Sequence, residues 1–217
     1  MLAIEAATVG AADDSMTPLM KAAAGNSVNA AKALIKNGAS VNAVDDKGMT
    51  ALMHAAKNNS YKTAKLLLDK GADINAAGEN TWTALRWSAE KKALIVMKLL
   101  IKKGANIDPM SDGWSPLEWA AKNNSLEIAE LLVENRAYLD SRDKTGLTPL
   151  MWAAWNNSYD VAKYLVKMGA NTNSADKNGI TALGWAKSRR NIEMINLLYR
   201  HGARTDAPAE TGGGTGN

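Results

Sequence analysis

The chain has 217 residues, of which 46% are hydrophobic and 22% charged, so it can bury a core and is unlike a disordered chain in composition. The absence of cysteine excludes disulfides and thiol chemistry, and no apolar run reaches the length of a membrane span. The net charge of +4 comes from scattered lysines without a basic run, so we expect no binding to nucleic acid or to a membrane.

The first 13 residues are rich in alanine and predict one capping helix ahead of the rest of the chain. They lack the basic start and the long apolar stretch of a signal peptide. We expect a cytoplasmic protein from the sequence as it stands, and a periplasmic or secreted one if a signal peptide has been removed.

A unit then recurs six times, marked by a Thr or Ser in front of Pro-Leu or Ala-Leu. The markers lie 33 residues apart, once 32: Thr17, Thr50, Thr83, Ser115, Thr148 and Thr181. Thr or Ser is typical of a helix N-cap, and Pro after it occupies a position where a missing N–H costs nothing. Each unit therefore predicts a first helix. In the fifth unit it carries Leu150 and the pair Ala153-Ala154, small residues that let neighbouring helices approach closely.

A short turn and a second helix follow each first helix. The turn reads Gly-Asn-Ser at 25–27 and Asn-Asn-Ser at 58–60, 123–125 and 156–158. We expect left-handed backbone at Gly25 and at the asparagines, and a Ser cap on the second helix. Glycine ends that helix in five units, whereas Arg136 stands in its place in the fourth, where the helix end should be strained or differently closed. A hairpin-like loop then leads to the next unit.

These features resemble the ankyrin repeat, whose unit is a β-turn followed by two antiparallel helices. The strings TPLMKAA at 17–23, TALMHAA at 50–56, TPLMWAA at 148–154 and NGASVNA at 37–43 carry the resemblance, which covers about Asp14 to Asp206. It implies an all-α solenoid of antiparallel helix pairs joined by β-hairpin-like loops. We expect a single ankyrin-repeat domain over 1–206, with the capping helix and six repeats, and a flexible glycine-rich tail over 207–217.

Two departures from the repeat have structural consequences. The unit that begins at Thr83 is one residue short and contains Pro109, so its loop should differ. Lys187 replaces an alanine of the Ala-Ala pair in the last repeat, which suits a repeat with no further neighbour to pack against.

Residues suited to catalysis or metal binding are few. His54 and His201 are the two histidines, and neither has a cysteine or a second histidine nearby. The acidic pairs Asp13-Asp14 and Asp45-Asp46 fall in the turn before a repeat, where Asp is expected structurally. We therefore predict no catalytic, cofactor-binding or metal site, and no enzyme activity. The inter-helix turn also accounts for three Asn-X-Ser sequons, at Asn58, Asn123 and Asn156.

The tryptophans are the residues whose placement suggests a binding surface. At ~100° per residue, Leu150, Ala153 and Ala154 share one side of the first helix, and Trp152 and Trp155 lie opposite. By the resemblance, this free side and the turn tips bind partners. The predicted partner-binding residues are Trp82, Trp87, Trp114, Trp119, Trp152, Trp155 and Trp185, with Arg86, Glu118 and Lys122 at the rim.

Three interpretations of the tryptophans stay open at this point. The first is a monomeric protein-binding module, in its sharpest form an inhibitor or immunity-type partner of an enzyme, since a small stand-alone chain of this kind must act by binding or blocking. The second is a carbohydrate or peptidoglycan binder, because tryptophan ladders stack on sugar rings. The third is purely structural: the residue before each cap and the fifth residue after it form a hydrophobic staple, pairing Trp82/Trp87, Trp114/Trp119, Leu147/Trp152 and Ile180/Trp185.

Overall fold

The computed structural model describes residues 15–109 and 114–204, and this part of the chain folds into six pairs of α-helices. The first helices are α1 (Pro18–Ala24), α3 (Ala51–Lys57), α5 (Ala84–Glu90), α7 (Pro116–Lys122), α9 (Pro149–Trp155) and α11 (Ala182–Ser188). The second helices are α2 (Val28–Lys36), α4 (Tyr61–Asp69), α6 (Leu94–Lys102), α8 (Leu126–Glu134), α10 (Tyr159–Lys167) and α12 (Ile192–Arg200). The expected capping helix over 1–13, the tail over 207–217 and part of the short third unit's loop, residues 110–113, lie outside the described residues.

The predicted N-caps of the first helices are confirmed. In all six repeats the Thr or Ser side chain accepts a hydrogen bond from the amide three residues later, as Ser115 Oγ does from Glu118 N at 3.2 Å. Each first helix packs on the next first helix, and each second helix on the next second helix. The alanine pairs lie at these contacts, and Ala120, Ala121, Ala153 and Ala154 are fully buried.

The turn between the two helices differs from the prediction in two ways. The left-handed residue is Asn26 (φ 52°) and not Gly25 (φ −83°). The serine side chains do not cap their own second helices. Instead, Ser60 Oγ donates to the carbonyl of Ala24, 3.0 Å away in the preceding repeat, and Asn26 Oδ1 accepts from the Thr63 amide in the first turn of α4. The turn therefore ties neighbouring repeats together.

The second helix of the fourth repeat ends in the same way as the others. Arg136 has φ 68°, beside 80° to 95° for the glycines at this position. Its amide donates to the Val133 carbonyl at 2.9 Å, as that of Gly104 does to Ile101 at 3.0 Å. The expected strain is present, because a left-handed backbone is costly for a residue with a Cβ atom. The alternative of a different closure was wrong.

Hairpin-like loops connect the repeats, and Asn or Asp side chains link each loop to the next. Antiparallel bridges pair Val44 with Thr50 and Ala175 with Thr181. Asn42 Oδ1 accepts from the Asp73 amide at 2.8 Å, and equivalent bonds recur along the stack. Lys187 is exposed, and its ammonium lies 5.4 Å from the Tyr199 ring centroid. Among the described residues, no helix combines the length and apolar character needed to cross a bilayer.

Candidate functional site: the tryptophan row

The seven tryptophans form one continuous line of ring contacts across the third to sixth repeats, which we call the tryptophan row. Neighbouring ring centroids lie 4.0 to 5.8 Å apart. The order along the row is Trp87, Trp82, Trp119, Trp114, Trp152, Trp155 and Trp185. All seven side chains are half-buried, so each ring both packs on the fold and keeps part of its surface open to solvent.

Contacts within repeats and contacts between repeats alternate in the row. The predicted staple pairs Trp82/Trp87 and Trp114/Trp119 are in contact, with centroids 4.3 and 4.5 Å apart. Between repeats, Trp114 lies 4.0 Å from Trp152, and Trp155 lies 4.2 Å from Trp185. The tryptophans thus staple single repeats and also merge into a surface shared by four repeats.

A buried aspartate in the preceding turn fixes the indole in the fifth and sixth repeats. Asp143 Oδ2 accepts from Trp152 Nε1 at 3.0 Å, and Asp176 Oδ2 accepts from Trp185 Nε1 at 3.2 Å. His54 takes the place of the indole in the second repeat, with Nε2 2.9 Å from Asp45 Oδ2. In each case the acid precedes its partner by nine residues, a spacing that can be read from the sequence.

The same aspartates also hold the turn. Asp143 Oδ1 accepts from the amides of Thr145 and Leu147 at 2.8 and 3.0 Å. Asp45 is bound in the same way, and although its burial acts to raise its pKa, hydrogen bonds from His54 and two turn amides outweigh burial and lower the pKa. The hydrogen bonds of these carboxylates are therefore made within the fold, and we assign them a structural role.

The third and fourth repeats lack this arrangement. The positions nine residues before Trp87 and Trp119 are Gly78 and Met110 in the sequence. Within the described residues, the buried indole nitrogens of Trp87 and Trp119 find no acceptor, and neither does the Nε of Arg86. Buried polar groups are nearly always paired, so three unpaired donors in two neighbouring repeats are unusual.

Arg86 does not lie at the rim, as the sequence led us to expect, because it is 2% exposed. Its position in the first helix holds Met20, Met53 and Met151 in other repeats, and the side chain turns inward as theirs do. An Nη atom donates to the carbonyls of Asn80 and Thr81 at 3.2 and 3.0 Å. Arg86 thus holds the 3₁₀ turn Glu79–Thr81, in which Asn80 and Thr81 have φ of 52° and 61°.

Glu118, also expected at the rim, is 1% exposed. Its carboxyl accepts from the Ser115 amide at 2.8 Å, which completes a capping box, and from Ser141 Oγ at 3.1 Å. Burial raises the pKa of Glu118 to about 8, against the lowering effect of these bonds. The side chain is therefore mainly protonated at neutral pH and brings little negative charge to the site.

Four basic side chains lie directly on the rings, and one of them is the buried Arg86, whose guanidinium lies 5.1 Å from the Trp82 centroid. The predicted residue Lys122 is half-exposed, with Nζ 4.5 and 4.7 Å from the centroids of Trp114 and Trp119. Sequence reasoning missed the other two. Lys57 lies 4.7 Å from the Trp87 centroid, and the Arg189 guanidinium lies 5.1 Å from that of Trp155. Such cation–π contacts orient each charge along the row.

A family model described as ankyrin repeats, three copies per match, matches residues 2–78, 76–143 and 135–209. The chain belongs to the ankyrin-repeat family. A crystal structure of the human ASB11 ankyrin repeat domain is similar to this ankyrin solenoid, with 29% identity, a TM-score of 0.81, and 87% of this chain and 85% of that one covered. An ankyrin repeat domain from Acinetobacter baumannii is also similar, with 29% identity, a TM-score of 0.78, and coverage of 86% and 98%. No curated protein sequence gives a significant match.

Ankyrin repeats are generally protein–protein interaction modules, and the fold is typically a non-catalytic scaffold. In the described part of this ankyrin solenoid, no cluster of three or more His, Asp or Glu side chains is placed to hold a metal ion.

Three depressions follow the row between the turn tips of this ankyrin solenoid. The central one, about 260 Å³, is lined by Asn80, Trp82, Arg86, Trp114, Trp119, Asp143, Lys144 and Thr145. The other two, about 380 and 330 Å³, lie beside Trp82 and Trp87 and beside Trp152 and Trp185. Together they make an uneven surface in which indole edges alternate with hollows, a shape suited to protruding side chains of another protein.

Proposed function

We propose that this ankyrin solenoid is a protein-interaction module that binds its partner on the tryptophan row and the adjoining turn tips. The observation that carries the proposal is the continuity of the row, seven half-buried indoles in mutual contact across four repeats. Tryptophan is the residue type most enriched among binding hot spots, and a contiguous apolar patch on a protein surface usually marks a binding site.

The fold does not require these rings. The staple positions before the caps hold Met16 and Met49 in the first two repeats, and both methionines pack on the core. The position of Trp155 holds Ala24 and Ser188 in other repeats. Structural stapling therefore explains why an apolar side chain stands before each cap, but not why four successive repeats carry tryptophan.

The sugar-binding alternative receives little support from the ring geometry. Sugars stack on open ring faces, whereas the rings here lie against each other and against basic side chains. Trp114, for example, contacts Trp119, Trp152 and Lys122. A partner would meet mainly edges and hollows, which favours protein side chains over a flat sugar face.

An inhibitory or immunity-type role is the version of the proposal in which the partner is an enzyme. A partner enzyme bound along four repeats would have a large part of its own surface covered by the solenoid. This version is tested by adding the ankyrin solenoid to the purified partner: full loss of enzymatic turnover at saturation supports it, and unchanged turnover in the bound state overturns it.

The binding surface is tested with two matched variants in which an aromatic side chain becomes serine. Trp155→Ser removes a ring of the row, and Tyr138→Ser removes a ring that is 66% exposed and outside it. Each variant and the native protein are immobilised and exposed to an extract of the source organism, and the captured proteins are compared by mass spectrometry. The proposal requires a protein captured by the native chain and by Tyr138→Ser but lost with Trp155→Ser.

The opposite result, capture that survives Trp155→Ser and is lost with Tyr138→Ser, would move the site away from the row. A glycan array run in parallel decides the alternative. Binding of a glycan that depends on Trp155 would overturn the protein-binding proposal in favour of carbohydrate binding.

A further inference from the structure

We infer that the segment bound on the tryptophan row is acidic, with carboxylates of the partner facing the basic side chains on the rings and one acceptor group entering the central depression. The inference rests on the proposed function, since it names the chemistry of the partner at the same site. It is carried by unpaired charges at the surface and by unpaired donors beneath it.

The basic side chains of the row have no counter-ions in the described part of the chain. Lys57, Lys122 and Arg189 lie on indole rings, and none of them forms an ion pair with a described carboxylate. Elsewhere on this protein, Lys103 pairs with Asp69 at 2.9 Å. Carboxylates of a partner are the groups that would complement an unpaired row of cations.

Carboxylates near the central depression are engaged in hydrogen bonds or ion pairs, or are buried. Asp143 and Asp176 each accept from an indole and from turn amides. Glu90 pairs with Lys91 through Oε1 at 3.0 Å, while its Oε2 is buried and has no hydrogen-bond partner among the described residues. Glu118 is buried and mainly protonated at neutral pH. Glu79 is exposed, but it lines the outer depression beside Trp87 and not the central one. The local balance of accessible charge at the centre is therefore positive.

The central depression favours a partner group that accepts hydrogen bonds. The unpaired buried atoms around it, Arg86 Nε and Trp119 Nε1, are both donors. Arg86 is 2% exposed, and the exposed Lys144 also lines the depression. A carboxylate matches a guanidinium and an ammonium better than any neutral acceptor does, because charge-assisted hydrogen bonds are about twice as strong.

The test selects for partner chemistry without knowledge of the natural partner. A yeast-displayed library of random 12-residue peptides is sorted against the full chain, and the enriched peptides are sorted again against Trp155→Ser to keep those that depend on the row. We expect these peptides to be enriched in Asp and Glu next to apolar residues. Their binding should weaken at least threefold when salt is raised from about 50 to 300 mM.

Charge-reversal variants then locate the contacts. Lys122→Glu and Lys144→Glu should each reduce the affinity of a row-dependent peptide at least tenfold, because they place like charges against its carboxylates. Lys98→Glu, at an exposed position on the second helix α6, makes the same change of net charge away from the row and should alter affinity less than twofold.

The outcomes separate the two proposals. Row-dependent peptides that are neutral or basic, or that are indifferent to Lys122→Glu, overturn the acidic-segment inference and leave the binding surface in place. A library that yields no peptide dependent on Trp155 overturns the binding surface itself, and the inference falls with it.

Discussion

Replacing the buried Glu118 by Gln should remove most of the pH dependence of stability between about pH 5 and 8. In the folded chain this carboxyl keeps its proton up to about pH 8, whereas in the unfolded chain it releases the proton near its ordinary pKa of 4.5. Between these values the folded state binds more protons than the unfolded state, so raising the pH favours unfolding. The stabilisation is complete below pH 4.5 and is lost as the pH rises through about 8.

The size of the effect follows from the same two pKa values. Each pH unit inside the window costs about 1.4 kcal/mol, so a rise from pH 5.5 to 7.5 lowers the free energy of unfolding by roughly 2 to 3 kcal/mol. For a chain of this length that corresponds to about 5 to 10 °C in melting temperature. The side-chain amide introduced by Glu118→Gln is neutral at every pH, can still accept from the Ser115 amide, and can donate to Ser141.

The assay is thermal unfolding followed by circular dichroism at 222 nm, with both proteins measured at half-unit steps from pH 5 to 8.5. Other titrating groups are common to both proteins, so the difference between the two melting temperatures isolates Glu118. The native chain should lose stability relative to Glu118→Gln as the pH rises. A difference that stays constant within about 2 °C, or one that changes in the opposite direction, would refute the reasoning.

Two further predictions concern the packing of the repeats. Ala121→Leu should lower the free energy of unfolding by about 1 to 3 kcal/mol, because it overpacks a fully buried contact. Lys187→Leu, at the exposed equivalent position of the last repeat, should lower it by less than about 0.5 kcal/mol. Both are measured by urea unfolding, and equal losses would contradict our account of the terminal repeat. Arg136→Gly should stabilise the chain by about 1 kcal/mol in the same assay, because glycine adopts the left-handed backbone at this exposed position without a steric penalty. A loss of stability would show that the Arg136 side chain makes a stabilising contact.

The elements that the sequence predicted well depend on local chemistry. A Thr or Ser before Pro-Leu caps a helix through an amide three residues away, and a glycine closes the second helix through its own backbone. Such features need no knowledge of neighbouring repeats. The prediction that the serine of the inter-helix turn caps its own helix is wrong because its partner is not local. The acceptor of Ser60 Oγ belongs to the preceding repeat.

Arg86 and Glu118 are predicted at the rim because they lie close to the tryptophans in the sequence, whereas the structure buries both side chains. The equivalent positions in other repeats hold Met20, Met53 and Met151, and this apolar column indicates a position that faces inward. The pairing of Asp143 with Trp152 was likewise readable from the nine-residue spacing that recurs in the second and sixth repeats.

Other parts of the site could not be read from the sequence. Contacts such as Trp114 with Trp152 depend on the rotation between successive repeats, which no local pattern specifies. The placement of Lys57 and Arg189 over rings depends on the conformations of long, flexible side chains. The sequence located the tryptophans on one surface, but their continuity and their unpaired charges became visible only in three dimensions.

Hydroxyl-radical footprinting of the complex with the captured partner tests the central claim most directly, because it needs no substitution that could disturb the fold. All seven tryptophans of the chain lie in the row, whereas its five tyrosines lie outside it, so the two residue types report on different surfaces. Our account predicts that the partner lowers the oxidation rate of Trp114 and Trp155 at least threefold and leaves the exposed Tyr61 and Tyr138 unchanged. Unchanged tryptophan oxidation with protection at Tyr61 or Tyr138 would contradict it.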